Sequence, residues 1–391
     1  MPETQPIDNR AATARARIRK AVRKIFCRNP QCGHGNSPYA QMCERCSTGL
    51  NGGVVFSSGQ SGTAQHEWLA QLQQAVQRKE QCYLHDVGET MEEFARQFDS
   101  YINWDRILDR TENELRFRRA QAFGEITHKV LNGPADIHLL ACHVIFRWNA
   151  FLTRGLDPHL LAPLQDNLRM FLTVIDGVNE VHRRLSVTDW GDRKRLQLAL
   201  WRDEEVFITG LLADLFRRPH YVISREEPAD NMADLILRPW RPRVHFSFPI
   251  TAFVGQPDEQ WARAEIESVR DAIRQWAVVF DPYAIKDYDL TYQVPEMSEI
   301  AKELGEQTEQ RDYRFIDQSE ILIAFFPKAA PSKGVEAELR HARTTGKIIY
   351  LCYPQQTGGP FSISPDYLAS SKEEFLNLIR DHFEGLDEPV D

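Results

Sequence analysis

The chain has 391 residues, 26% of them charged, and a formal net charge of −9. That length suffices for two or three domains with substantial cores, and the acidic balance argues against a molecule that coats nucleic acid. No apolar stretch is long enough to span a membrane and no apolar h-region follows the N-terminal charges, so the expected setting is cytoplasmic, with no membrane partner.

The lead segment, residues 1–26, is basic. No acidic residue stands between Asn9 and Cys43, whereas Arg10, Arg15, Arg17, Arg19, Lys20, Arg23, Lys24 and Arg28 do. Ile18, Val22, Ile25 and Phe26 fall at helical spacing, so this stretch reads either as a helix that engages RNA or a protein, or as a frayed basic terminus. Over residues 27–50, Cys27-x4-Cys32-x10-Cys43-x2-Cys46 offers two thiolate pairs across a short loop, the donor set of a tetrahedral zinc site. The residues between them are small and polar and cannot build a core, so structural Zn2+ is expected to supply the folding energy. The string CGHGNSPYAQMCERC resembles small zinc ribbons and the Ran-binding-protein-type finger, modules that take RNA, ubiquitin or other proteins. Cys82, Cys142 and Cys352 lie apart in apolar contexts and read as free thiols.

Residues 51–240 open with a strand around Val54-Val-Phe56, a glycine-containing turn and an amphipathic helix, the setting of a P-loop. Counting from Gly59, however, the second glycine of that motif is Ala64, its lysine is Gln65 and its Ser/Thr is His66; Gly62 lies inside the turn. Tyr83–Gly88 and Met170–Asp176 read as further buried strands, and Val178–Leu185 as a helix carrying Arg183 and Arg184. The set resembles P-loop nucleotide kinases of the adenylate-kinase type, in which Leu139–His143 would be the central strand of a three-layer α/β domain. Without the lysine, charge compensation for a transferring phosphoryl group is lost. The expectation is a degenerate domain that binds a nucleotide, or none, rather than an active kinase. Pro239, Arg241 and Pro242 read as the linker into residues 241–391.

The last part reads as a parallel-sheet α/β domain of Rossmann-like (flavodoxin-like) type. Ile321–Phe326 is a short apolar run of buried-strand character ended by Pro327, a turn Pro331-Ser-Lys-Gly334 feeds a helix from Val335 to Thr345, and Ile348–Cys352 is the next strand. In such βαβ units ligands gather beyond the carboxyl ends of the strands. Ser332 and the backbone N–H groups near Gly334 would hold an anion such as a 5′-phosphate. Glu338, one turn into the helix, can attack an anomeric carbon, and Asp312 can manage the proton on the departing base. The acidic tail after Arg380 reads as partly disordered.

These residues carry a resemblance over roughly residues 241–355 to the nucleoside 2-deoxyribosyltransferase-like superfamily, and within it to the 2′-deoxynucleoside 5′-phosphate N-hydrolases. The shared pattern is R-D, an acidic residue before an apolar strand, then P-S-x-G-V-x-x-E-L-x-x-A and G-K. The resemblance implies that Asp312 is the catalytic aspartate, Ser332 the phosphate-contacting serine and Glu338 the nucleophile. It also implies that Ser247, Phe248, Pro249 and Ile250, at the end of a strand running from Val244 to Thr251, form the substrate loop, and that Asp281 delivers a base contact. Phe248-Pro249 depart from the small glycine-type residues usual there, and Ile348 replaces the proline that usually follows G-K.

The leading expectation is a nucleotide N-glycosidase that releases the base from a (deoxy)nucleoside 5′-monophosphate or related nucleotide. The alternatives are a nucleotide sensor that keeps the pocket and engages a partner through the zinc knuckle, and a nucleotide kinase, which Ala64, Gln65 and His66 oppose. A homo-oligomer is the expected assembly.

Overall fold

The computed structural model describes residues 8–22, 24–27, 32, 34–37, 40, 42–46, 53–97, 110–133, 136–148, 151–188, 191–285, 287, 298–354 and 364–386. It is a mixed α/β chain built on two parallel sheets, with a cysteine cluster near the N-terminus. In the cluster, β1 (Ile25–Phe26) pairs antiparallel with β2 (Gly35–Asn36).

The first sheet consists of β3 (Gly53–Ser58), β4 (Cys82–Asp86), β5 (Ile137–Ala141), β8 (Leu168–Ile175) and β9 (His220–Ser224), in the spatial order β4-β5-β3-β8-β9. A hairpin of β6 (Ile145–Trp148) and β7 (Phe151–Arg154) projects beyond β5. The centre is therefore β3 and not the 137–141 strand, because the connection from β5 crosses to the far side of β3. Alternation along β3 explains the three layers: Val54 and Phe56 pack toward Phe123, Phe171 and Trp201, while Val55 packs toward Trp68, Leu69 and Leu72. The expected Tyr83–Gly88 strand is an edge strand, 82–86, with Tyr83 exposed; Val87 and Gly88 already begin the Val87–Gln97 helix.

The second sheet has β10 (Arg243–Ser247), β11 (Val278–Phe280), β12 (Ile321–Phe325), β13 (Ile348–Cys352) and β14 (Tyr367–Ala369), in the order β11-β10-β12-β13-β14. In chain order this is 2-1-3-4-5, the flavodoxin-like doubly wound arrangement, whose ligand crevice opens between its first and third strands, here β10 and β12. Val244, Phe246, Ile323 and Phe325 face the Glu259–Ile273 and Lys372–Phe383 helices, and Leu322 and Ala324 face the Lys333–Thr344 helix. Strand β10 stops at Ser247, four residues before the expected end, because Pro249 caps a short Ile250–Phe253 helix.

The N-terminal helix, Asp8–Ala21, belongs to this second body. Ile18 and Val22 are buried in its core, and three of the basic side chains bind this body: Arg15 the Asp381 carbonyl, Arg17 Asp366 and Arg19 the Gly385 carbonyl. Ile25 and Phe26 are strand, not helix. The tail expected to be disordered stays helical to Phe383, and His382, Phe383 and Leu386 are buried; residues 387–391 lie outside the described set.

The two sheets share a core. Tyr221, Phe280 and Phe315 form successive stacked rings with centroids 6.3 and 6.2 Å apart. Arg241, expected in a linker, is buried with its guanidinium on Asp234. Each sheet also closes one of the other's edges, since Asn231 hydrogen-bonds both backbone groups of Val279 on β11 and Gln318 does the same to Val222 on β9. An edge strand exposes unpaired backbone groups, and these two amides cover them. Among the described residues no helix is long and apolar enough to cross a membrane.

Candidate functional site

The β10/β12 switch point carries polar residues on strands that are otherwise apolar. His245 and Ser247, both fully buried, alternate with Val244 and Phe246 on β10 and lie beside Leu322 and Ala324 of β12. They therefore face the Lys333–Thr344 helix. From that helix Glu338 brings its Oε2 to 3.4 Å from His245 Nε2, with the glutamate side chain 14% exposed. The other ring nitrogen of His245 and the Ser247 hydroxyl are buried with no hydrogen-bond partner among the described residues. Buried polar groups are rarely left so unless a ligand, ion or water completes them.

Asp312 reaches the same place from the Ser298–Asp317 helix. Burial pushes its carboxyl up to about 6, the Arg311 charge opposes that rise, Glu338 adds to it, and His245 opposes it. Arg311 holds Asp312 through Nε and Nη2 at 3.3 and 3.2 Å, and its Nη1 bonds Asp287 at 3.1 Å. Asp287 in turn accepts from Arg202 at 2.7 Å and from the Val178 N–H at 2.9 Å, both in the first sheet's half of the chain. Asp312 thus feels the charge of Glu338, and its raised carboxyl keeps a proton to higher pH than an ordinary aspartate, as a general acid needs.

The other expected site residues are placed differently. Ser332 is the N-cap of the Lys333–Thr344 helix, its hydroxyl accepting from the Val335 N–H at 3.3 Å. Gly334 is exposed, and a side chain there would meet nothing within 4 Å. Phe248 turns to the opposite face of the sheet, against Phe246 and Tyr283. Pro249 is buried there as well, and the side chain of Ile250 lies outside the described set. Asp281 is spent on Arg270 at 2.9 Å and on the Tyr283 N–H. The structure thus brings Asp312, Glu338 and Ser247 together, and sets Phe248 and Asp281 apart from them.

In the first sheet, the turn after β3 keeps the backbone of a glycine loop. A side chain at Gly59 would come 2.9 Å from the Val174 carbonyl, and Gly62 adopts φ +87°, which only glycine takes readily. Ala64 is also left-handed, at φ 53°. Gln65 is buried and donates to Ser57 at 2.9 Å, with its amide oxygen packed beside Gly59. His66 faces carboxylates, Asp86 at 3.2 Å and Glu89 at 3.4 Å. Beside the loop lies a cavity of about 450 Å³ lined by His66, Asp86, Glu89, Glu92, Leu115 and Arg119 among others.

The sulfurs of Cys27, Cys32, Cys43 and Cys46 all lie within 4.8 Å of one another, so the four could hold a metal ion. Cys27 and Cys46 are 3.4 Å apart and Cys32 and Cys43 3.7 Å, near the edge of about 3.8 Å that four thiolates at ~2.3 Å from one ion would form. Asn36, buried in the loop, braces the cluster by donating to the His34 carbonyl and accepting from the Glu44 N–H, each at 2.9 Å. Cys82, Cys142 and Cys352 are free and buried, and burial pushes the thiols of Cys82 and Cys352 up to about 12.

Comparison with protein-family models and with curated protein sequences returned no match. The functional argument therefore rests on the site. His245, the partner of Glu338, escaped the sequence reading because it sits in an apolar strand. Its available signal was His245 and Ser247 at alternate positions on a strand whose other face is Val244 and Phe246.

Proposed function

We propose that the chain is an N-glycosidase acting on a (deoxy)nucleoside 5′-monophosphate or related nucleotide. The reading rests on one observation: at the β10/β12 switch point Glu338 lies 3.4 Å from His245, and the buried Asp312, its carboxyl raised to about 6, feels the charges of both. An oxygen of Glu338 attacks the anomeric carbon as the N-glycosidic bond breaks, the bonding pair leaves with the base, and Asp312 delivers the proton the base needs. Water then attacks the glycosyl ester, passing its proton to Asp312 and freeing Glu338. His245 orients Glu338, and Arg311 orients Asp312.

The middle of the chain is read as a kinase-like fold that transfers no phosphate, since Gln65 supplies no cation and is turned into the protein. The cysteine cluster is read as a structural Zn2+ site, the ion that suits four thiolates in a closed tetrahedral set.

The test is incubation of the full chain with a panel of nucleoside 5′-monophosphates and chromatography for free base. Release by the wild type and none by Glu338→Gln is the expected result. A wild type that binds nucleotides and releases no base would replace this reading with that of a nucleotide sensor using the same pocket.

A further inference from the structure

A separate cavity, of about 320 Å³, opens between the Arg195–Leu215 helix, strands β8 and β9, and the Ser298–Asp317 helix. Its volume lies at the lower end of the roughly 300–1,000 Å³ usual for small-molecule sites. Leu200, Val206 and Val222 give it apolar walls. Arg202 lines it too, although that residue is only 5% exposed. Its Nη1 is occupied by the Asp176 carbonyl and by Asp287. Its Nε and Nη2 have no hydrogen-bond partner among the described residues, yet they are not sealed off in the protein interior. One edge of the guanidinium therefore keeps donors that an acceptor entering the cavity could take from water.

Two further groups point the same way. Gln307, also in the lining, buries its side-chain oxygen without a partner among the described residues. Arg314 adds another cation, and its only ion pair among the described residues is a long one, 4.0 Å from the mostly exposed Asp203. The acidic residues of the lining, Asp203 and Glu306, are both exposed and stand toward the solvent side.

We propose that this cavity is a binding site for a small organic phosphate. Its phosphoryl group docks on the free edge of Arg202 with Arg314 beside it, a hydroxyl of the ligand donates to Gln307, and the ligand body lies on Leu200, Val206 and Val222. Three arginines in one lining, Arg202, Arg311 and Arg314, suit the double charge of a phosphate monoester better than the single charge of a carboxylate. Arg311, which holds Asp312, also lines this cavity, but the ligand groups proposed here do not touch Glu338, so the proposal does not depend on the reading of that site.

Calorimetry on the full chain, with ribose 5-phosphate, ribose and gluconate as probes, tests this. Saturable binding of ribose 5-phosphate is expected for the wild type and equally for Glu338→Gln, at least tenfold weaker binding for Arg202→Gln and for Leu200→Trp, and none for ribose or gluconate. Leu200 is 42% exposed and outside the polar network, so Leu200→Trp fills the cavity without disturbing Asp287 and decides the matter should Arg202→Gln fail to fold. The proposal is overturned by absence of saturable wild-type binding, by binding that survives Leu200→Trp, by loss of binding in Glu338→Gln, or by gluconate binding as well as the phosphate.

Discussion

Asn231 and Val279 are joined by both of the hydrogen bonds that a neighbouring strand would otherwise supply. The amide nitrogen donates to the Val279 carbonyl at 2.7 Å and the amide oxygen accepts from its N–H at 3.0 Å. Gln318 does the reciprocal service for Val222, at 2.8 and 2.9 Å. The two parallel sheets are therefore docked through their own edges, and the Arg202–Asp287–Arg311 chain that ends on Asp312 runs through the same junction.

Removing either amide strands two buried backbone groups. Asn231→Ala and Gln318→Ala should each lower stability by about 2–4 kcal/mol, since each unsatisfied buried group costs roughly 1–3 kcal/mol and some water relief is expected. Urea unfolding of the full chain measures this, and a loss below about 0.5 kcal/mol for both would show that the edges do not need covering.

Glu338→Gln should abolish base release while leaving nucleotide affinity close to that of the wild type, because an amide keeps the size of the side chain but cannot attack the anomeric carbon. Asp312→Asn should retain a residue of activity, with a loss on the order of a hundred- to ten-thousand-fold. The proton on Asp312 is present below about 6 and lost above it, so the rate should fall as pH rises through that value. Arg311→Gln removes the charge that opposes the rise and should move this limb to higher pH.

Ser332 is spent as a helix cap in this structure, which predicts an effect on stability as well as on any phosphate contact. Ser332→Ala should cost roughly 0.5–2 kcal/mol by denaturant unfolding. Ser332→Asp keeps the cap and places a negative charge where a phosphate would sit, so it should restore stability while raising the Michaelis constant for 5′-phosphorylated substrates. Identical kinetics for Ser332→Asp and wild type would remove Ser332 from the substrate site.

Elemental analysis should find one zinc per chain, lost from the Cys43→Ser/Cys46→Ser double variant. Chelation should unfold the cluster locally, because four cysteines and a single buried asparagine offer little else to hold it. Zinc content unchanged by the double substitution would place the metal elsewhere.

The wild-type chain should transfer no phosphate from ATP to nucleosides or nucleotides. Gln65→Lys should not repair this, because position 65 is buried against Ser57 and an ammonium there must be desolvated without a counter-ion. The variant is expected to be less stable and equally inactive, as judged by thermal unfolding and by nucleotide chromatography.

Much of the architecture was legible in local patterns. Ile321–Phe325 and Ile348–Cys352 are continuous apolar runs bounded by proline, glycine and lysine, and they are strands because buried parallel strands demand that composition. The cysteine spacing announced a cluster of four thiols that could hold a metal ion, because ligand spacing is itself a local property. The Ser332 cap, the helix after it and the position of Glu338 on that helix followed from the same short range.

The sequence by itself thus determined several of the strands and helices, the cysteine cluster and the place of Glu338 on the helix after β12. Tertiary structure alone decided that β3 and not β5 is central, that the basic N-terminal helix is consumed by the C-terminal body, and that Asn231 and Gln318 complete each other's sheets. It alone decided that His245 meets Glu338, and that Arg202 and Arg311 share Asp287. The physical reason is range: strand runs and caps depend on neighbours a few residues away, whereas Glu338 meets a histidine 93 residues distant and Arg202 an aspartate 85 residues distant. Such pairs come together only when burial of the two sheets against each other outweighs the entropy of closing those loops.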